Sequence, residues 1–173
     1  MVKALLRYAK LTSRGVNPEP VDLNKIVQEL IDFELSVKIE DTRANIKIPQ
    51  TLHMIHADPI QIRQLMQNLI ANALKYQKKD IVPEIEIRSM LIDDSKVRIE
   101  VQDNGIGIDQ SQLTNIFSIF TRAHLKDEYE GIGMGLATCK RIVEKHGGDI
   151  GVISASGEGS VFWFTLAAAN SIK

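Results

Sequence analysis

The sequence is poor in cysteine, carries no excess of charge of either sign and lacks long apolar runs, and each absence excludes a class of protein. A single cysteine, Cys139, cannot form an internal disulfide framework. A formal net charge of −1 gives no sign of a nucleic-acid-binding surface. No apolar run could span a bilayer and no signal peptide opens the chain. We therefore expect a cytoplasmic domain without membrane contact of its own, in a parent protein that is either soluble or membrane-anchored.

What is present fits one globular domain with a short appendage. The chain has 173 residues, of which 44% are hydrophobic and 25% are charged, as in ordinary globular domains. Good helix formers without an N-cap fill residues 1–14, and Gly15 and the prolines of 17–20 interrupt them. These features predict a helical end segment over 1–14, a linker over 15–20, a domain over 21–168 and a tail over 169–173.

Hydrophobic periodicity and turn signals predict alternating helices and strands. Asp22 would cap one helix, and Asp58 followed by Pro59 would begin another. The predicted helices cover 1–14, 23–36, 59–77 and 134–146, and the predicted strands cover 45–48, 52–56, 84–91, 96–102, 149–154 and 160–167, with a brief pairing at Val21. This order predicts an α/β fold, a two-layer sandwich of a mixed β-sheet with helices on one face.

Polar side chains line one face of the predicted helix over 59–77. Asn68, Asn72, Lys75 and Tyr76 follow one another at i, i+4, i+7 and i+8, which places them on the same side of a helix. Carboxamide oxygens can bind Mg²⁺, and an ammonium group can neutralise phosphate. This pattern suits a metal-bound polyphosphate, although a solvated helix face with incidental asparagines explains it equally well.

Two glycine-rich segments lie next to predicted elements, the first after a strand and the second before a helix. Residues 103–108, DNGIGI, end a strand, and their glycines would let the backbone approach a flat ligand while Asp103 accepts a hydrogen bond from an amine. A hairpin turn at Asn104 and Gly105 is the alternative, but no strand follows at hairpin distance. Residues 131–136, GIGMGL, open a helix whose N-terminus could bind phosphate. A Rossmann fingerprint is excluded because no strand precedes the segment directly, and no Walker loop occurs.

Together these motifs resemble the histidine-kinase branch of the superfamily of ATP-binding proteins that includes gyrase, Hsp90 and MutL. The matching segments, in family order over about 19–167, are QNLIANALKYQ (67–77), DNGIGI (103–108), IFSIFTR (116–122), GIGMGLATCKRIVEKHGG (131–148) and SGEGSVFWFTL (156–166). The resemblance implies a Bergerat-type fold, the cofactors ATP and Mg²⁺, and a mobile lid between the glycine segments. Residues 1–14 resemble the end of the second helix of a dimerisation and phosphoacceptor domain. The segment IFSIFTRAHLKDEY (116–129) resembles the same segment of phytochrome-type kinases.

The resemblance also implies a role for each matching residue. Asn72 would be the first Mg²⁺ ligand and Asn68 the second candidate, whereas Asp103 would bind the adenine amine. Lys75 and Arg122 would act on the transferring phosphate, and Phe117 and Phe120 would anchor the lid. The implied nucleotide-binding residues are Asn68, Asn72, Lys75, Tyr76, Asp103, Gly105, Gly107, Ile108, Arg122, Gly131, Gly133, Gly135, Leu136 and Ser160.

The histidines match no phosphoacceptor motif. His146 falls on the apolar arc of its helix and is expected to pack, and His53 and His56 lack a metal-ligand pattern. His124 falls in the lid, where an exposed loop histidine is expected and an approach to phosphate is the alternative. The resemblance therefore implies partners outside the chain: its own dimerisation and phosphoacceptor domain, a response-regulator receiver domain and a second copy of the parent. The rival interpretations are a serine or dehydrogenase kinase of the same fold and a non-enzymatic ATP-binding switch.

Overall fold

The computed structural model describes residues 15–119 and 133–169, and this part of the chain contains seven strands and five helical segments. In chain order they are β1 (Glu19–Val21), α1 (Leu23–Glu29), a π-helical turn (Leu30–Glu34), α2 (Ser36–Thr42), β2 (Asn45–Lys47), β3 (Ile55–Ala57), α3 (Pro59–Lys75), β4 (Glu84–Asp93), β5 (Lys96–Asp103), α4 (Gly135–Lys145), β6 (Ile150–Ala155) and β7 (Gly159–Ala167). The helix predicted over 1–14 lies outside the described residues.

The five-stranded sheet has the order β2-β4-β5-β7-β6. Only β2 and β4 run parallel, and the other neighbouring pairs are antiparallel, so the sheet is mixed. Along β5 the burial alternates: Val97, Ile99 and Val101 point to the helices, whereas Arg98 and Glu100 point away. The prediction of a two-layer α/β sandwich is confirmed.

Phe162 and Trp163 lie on opposite faces of β7, as the strand pattern predicts. Phe162 is buried on the helix side. Trp163 lies on the outer face, where the Arg98 guanidinium stacks 4.3 Å from its ring centroid. A Cβ at Gly151 would come within 2.4 Å of the Trp163 ring, so glycine in β6 leaves room for the indole.

The short strand β3, which lies in the region of the strand predicted over 52–56, does not pair with β2. It pairs with β1 in a separate two-stranded sheet, with Val21 opposite Ile55. The strand also begins three residues later than predicted. The Asn24 carboxamide accepts from the Leu52 N–H at 2.8 Å and donates to the Leu52 carbonyl at 3.0 Å, so these backbone groups are bonded to a side chain instead of a neighbouring strand.

The single helix predicted over 23–36 is interrupted. Its chain passes through the π-helical turn, in which the Leu35 N–H bonds the Leu30 carbonyl at 2.9 Å, and continues as α2 to Thr42. Five residues of regular α-helix would turn Leu35 roughly 140° away from Leu30. The wider turn lets both leucines pack in the core, where they are 2% exposed or less.

The core lies between the large sheet and helices α1, α3 and α4. Ile62, Leu65, Met66, Leu69 and Ile70 of α3 are all fully or almost fully buried, as the predicted apolar stripe requires. From α4, Cys139, Ile142 and Val143 complete the layer, and Phe164 of β7 is the largest fully buried side chain.

Asp58 ties the start of α3 to two other parts of the chain. Its carboxylate accepts from the N–H groups of Ile60 and Gln61, which caps α3, and from the Asn17 N–H at 3.2 Å. Its own N–H donates to Nε2 of His146, at 3.0 Å, while Nδ1 of that ring bonds the Ile142 carbonyl. His146 is therefore packed, as predicted. Within the described ranges, none of the helices has the length and apolarity that a bilayer crossing requires.

Candidate functional site

Asp103 is a buried carboxylate at the carboxyl end of β5, the central strand of the large sheet. Its side chain accepts the Gly105 N–H at 2.8 Å, and the Ser160 backbone N–H, on the neighbouring strand, lies close enough to lower its pKa. Desolvation raises the pKa of Asp103 to about 6, against the lowering effects of these two N–H groups and of the charge on Lys78. Such a group is a strong acceptor that burial holds ready for a donor from a ligand.

A pair of buried serine hydroxyls lies beside this carboxylate. Ser154 Oγ donates to the Gly159 carbonyl at 2.7 Å, accepts the Ile108 N–H at 2.9 Å and lies 2.9 Å from Ser160 Oγ. Because the only hydroxyl proton of Ser154 goes to Gly159, Ser160 must donate to Ser154. The lone pairs of Ser160 are left to accept. The sequence motifs pointed to Ser160 and missed Ser154, for which no sequence signal exists beyond its place in a strand.

The glycines of residues 103–108 are required by close backbone packing. A Cβ at Gly105 would lie 2.1 Å from the Tyr76 carbonyl oxygen, and one at Gly107 would lie 1.9 Å from that of Ala155. Gly107 also has a φ of +69°, in the left-handed region. The Ile106 N–H bonds the Tyr76 carbonyl at 3.1 Å, so this turn is joined to the end of α3.

The hairpin interpretation of this turn is wrong. Asn104 bonds back to the start of β4: its Oδ1 accepts the Glu84 N–H at 2.9 Å and its Nδ2 donates to the Val82 carbonyl at 3.0 Å. No strand follows within the described residues 104–119. The turn therefore follows the end of β5, and the chain after it leaves the sheet.

Asn68, Asn72 and Lys75 lie on successive turns of α3, and Tyr76 is the residue that ends the helix. Lys75 Nζ donates to the Tyr76 hydroxyl at 3.2 Å and lies 4.7 Å from the centre of that ring. Asn68 Nδ2 donates to the Gly135 carbonyl at 3.3 Å. The Asn72 carboxamide makes no hydrogen bond to any residue within 15–119 or 133–169. Its oxygen is therefore available to a ligand.

Helix α4 begins one residue later than predicted, and its N-terminus points toward the same region. Met134 precedes it and supplies no side-chain cap, so the first N–H groups lack a side-chain acceptor. A Cβ at Gly135 would meet no described atom within 4 Å, and Gly133 has a φ of +69°. Leu136 packs against the core. An open, uncapped helix N-terminus can bind an anionic group.

Part of the predicted lid is described. Phe117 meets Phe162 edge-on, with ring centroids 6.5 Å apart and planes at 89°, and the neighbouring Ile116 is buried. This contact holds the start of the predicted lid against the first half of β7. Arg122, Phe120, His124 and Gly131 lie outside the described residues.

Comparison with known proteins identifies the same segments. The family model described as "Histidine kinase-, DNA gyrase B-, and HSP90-like ATPase" matches residues 57–170. The phytochrome-like protein Cph1 of Synechocystis sp. is 40% identical over 170 residues, which is 98% of this chain and 22% of that protein. The adaptive-response sensory kinase SasA of Synechococcus elongatus is 34% identical, over 89% of this chain and 40% of that protein.

Solved structures agree with the fold. Full-length ShkA in complex with AMPPNP superposes with a TM-score of 0.80 at 27% identity, over 96% of this chain and 35% of that one. The catalytic domain of the histidine kinase ThkA superposes with a TM-score of 0.73 at 26% identity, over 91% of this chain and 99% of that one. The chain thus matches nearly the whole of an isolated catalytic domain and less than half the length of the longer sensor kinases.

Proposed function

Since the chain belongs to the histidine kinase-, DNA gyrase B- and HSP90-like ATPase family, in the form found in sensor kinases, we propose that it binds Mg-ATP and serves histidine phosphorylation in two-component signalling. The observation that carries this proposal is Asp103, a buried acceptor followed by two glycines, Gly105 and Gly107, that admit no Cβ. That combination suits a flat base with an exocyclic amine. The neighbouring Ser160 oxygen would accept from a water on the same base, and Ile108 would line the base pocket.

The phosphates would lie between α3 and the start of α4. Lys75 and Tyr76 come from the end of α3, and the uncapped N-terminus of α4 with Gly133 and Gly135 comes from the other side. The ammonium group neutralises phosphate charge, and the helix dipole adds to this attraction. Gly131 and Arg122, outside the described residues, are proposed to contact the phosphates as well.

A magnesium ion fits the donors that are present. Within 15–119 and 133–169, no group of three or more His, Cys, Asp or Glu side chains could hold a metal. A cation here would take one protein oxygen, for which Asn72 is the first candidate and Asn68 the second. It would complete its shell with phosphates and water, as Mg²⁺ commonly does. The bound ion would neutralise charge on the phosphates.

Transfer of the γ-phosphoryl group to a histidine is proposed to require a dimerisation and phosphoacceptor domain, in a homodimeric parent that passes the group on to a response-regulator receiver domain. In this proposal Lys75 and Arg122 act on the transferring group, and the partner domain positions the acceptor nitrogen. Acid-labile product on the partner would support a histidine kinase, whereas acid-stable product would indicate the serine-kinase alternative.

Titration calorimetry with Mg-AMPPNP tests the nucleotide site. Asp103→Ala removes a charge-assisted hydrogen bond and is expected to weaken binding by ~1.5–3 kcal/mol. Asp93→Ala, at an exposed carboxylate in the β4–β5 turn, is the matched control and should leave the affinity unchanged. Equal affinity of wild type and a folded Asp103→Ala variant would refute the assignment of Asp103 to the base.

A further inference from the structure

Three groups form a line of hydrogen bonds from the outside of α3 to the first residue of α4. Gln64 Nε2 donates to Asn68 Oδ1 at 3.0 Å, and Asn68 Nδ2 donates to the Gly135 carbonyl at 3.3 Å. The Asn68 carboxamide therefore joins α3 to the first residue of α4.

The orientation of that carboxamide follows from its partners. The Gly135 carbonyl can only accept, so the Asn68 NH₂ group must face α4. The Asn68 oxygen then faces α3, where the Gln64 NH₂ group donates to it. Without a donor at position 64, nothing in this pair of contacts would hold the oxygen on the α3 side.

An i, i+4 amide pair on a helix is by itself an ordinary surface contact. Gln28 of α1 makes a comparable i, i+4 contact when it donates to the Asp32 carboxylate in the π-helical turn at 2.9 Å, and neither side chain has a bond onward to another element in the described part of the chain. The Gln64–Asn68 pair differs because its second residue reaches the helix whose N-terminus faces the proposed phosphates.

We propose that Gln64 is a positioning residue for triphosphate binding, which it performs through Asn68 by fixing the first turn of α4 against α3. The proposal rests on the proposed function of the site. Asn72 and Lys75 belong to α3, and Gly133 and Gly135 to the start of α4, so the Gln64–Asn68–Gly135 relay sets the gap between the two groups that would hold the phosphates. Asn68 then serves as the strut and Asn72 as the metal ligand.

The relay predicts a loss that depends on the phosphates. Gln64→Met keeps the length of the side chain and removes the donor. It should weaken Mg-AMPPNP binding about 3- to 10-fold, the equivalent of one net hydrogen bond, and leave the affinity for adenosine unchanged. Gln64→Glu should lose more, because a carboxylate would turn the Asn68 NH₂ group toward itself and leave oxygen facing the Gly135 carbonyl.

Calorimetry with Mg-AMPPNP and an NMR titration with adenosine measure the two affinities on the full chain, with Gln28→Met as the matched control for loss of an i, i+4 pair. A merely structural role for Gln64 would lower thermal stability and change both affinities together, and that result would overturn the proposal. Unchanged Mg-AMPPNP binding in both Gln64 variants would do the same. If wild type itself failed to bind Mg-AMPPNP, the proposed function would fall first, so the two failures are distinguishable.

Discussion

At the scale of one side chain, the buried charge of Asp103 lowers the stability of the fold but provides the acceptor for the proposed base. Burial raises the pKa of its carboxyl from 3.8 to about 6 in the folded protein. The folded state therefore favours the protonated carboxyl. Its contribution to the free energy of unfolding is fully present below pH 3.8 and is lost as pH rises through 6. At neutral pH the protein holds a buried charge that destabilises it, by ~3 kcal/mol for a shift of this size. The same charge is the acceptor that the proposed base requires.

Asp103→Asn should separate these two effects. The variant stays neutral, so the apo protein should gain stability over wild type as pH rises from 4 to 6 and hold that gain above pH 7. The gain should reach up to ~3 kcal/mol, less whatever the weaker interactions with Gly105 and Ser160 cost. Urea unfolding from pH 5 to pH 8 measures the difference. A difference that does not change with pH would show that burial of this charge costs little.

Ser154 is a residue that only the structure reveals as part of the site. Its hydroxyl bonds Ile108, Gly159 and Ser160 at once in a buried position. Ser154→Ala would leave these groups short of a partner and should destabilise the fold by ~1–3 kcal/mol. Ser95→Ala, at an exposed turn, is the control and should cost less. Chemical denaturation compares the two, and an equal, small loss in both would contradict the role given to the Ser154 hydroxyl.

At the scale of elements, Asp58 and His146 join three segments that lie far apart in sequence. Asn17 bonds the Asp58 carboxylate, and the Asp58 N–H bonds His146 at the end of α4. His146→Phe keeps a ring of similar shape but removes both bonds, and should cost ~1–3 kcal/mol of folding free energy. His56→Phe, in β3, is the comparison, because its ring has no hydrogen bond to a described residue.

Hydrogen exchange gives this prediction a local signature. The Asp58 amide should exchange faster in His146→Phe, since its acceptor is gone, whereas amides in the middle of β5 should keep the protection that global stability allows. Uniform acceleration throughout the domain would indicate that His146 is simply a core residue and that the bond to Asp58 contributes little.

The elements show what a sequence pattern can and cannot predict. Strands β4, β5 and β7 and helices α3 and α4 follow from periodicity, because each buries one regular face. The π-helical turn could not be predicted, since it depends on Leu30 and Leu35 meeting one core. The late start of β3 could not be predicted either, because the backbone at Leu52 is bonded by Asn24, a residue 28 positions earlier.

At the scale of the whole molecule, the site exists only where separate segments meet. The motifs name most of its residues, since Asn72, Asp103 and the glycines stand in family order. Their spacing cannot supply the bonds between segments, such as Tyr76 to Ile106 or Asn68 to Gly135, because those depend on how the helices lie on the sheet. The chain is also short beside its relatives, since it spans only 22% of the phytochrome-like protein Cph1.

This difference in length leads to a prediction for the whole chain. None of its four histidines stands in the family's phosphoacceptor motif, while the proposed Mg-ATP residues are present. The chain should therefore bind ATP and not label itself with γ-labelled ATP. Phosphoryl transfer needs the acceptor nitrogen held in line with the γ-phosphate, and the proposed Mg-ATP residues would supply a phosphate clamp without a positioned acceptor.

A dimerisation and phosphoacceptor domain added as a separate protein should become labelled on its histidine, and the label should be lost in acid. Asn72→Asp is the sharper control, because it keeps the size of the side chain but places a carboxylate against polyphosphate and should reduce that transfer. Asp32→Asn, on the far helical turn, makes the opposite exchange away from the site and should leave transfer intact. Strong labelling of the chain alone would mean that one of its own side chains accepts the phosphoryl group, and the division of labour between the two domains would have to be abandoned.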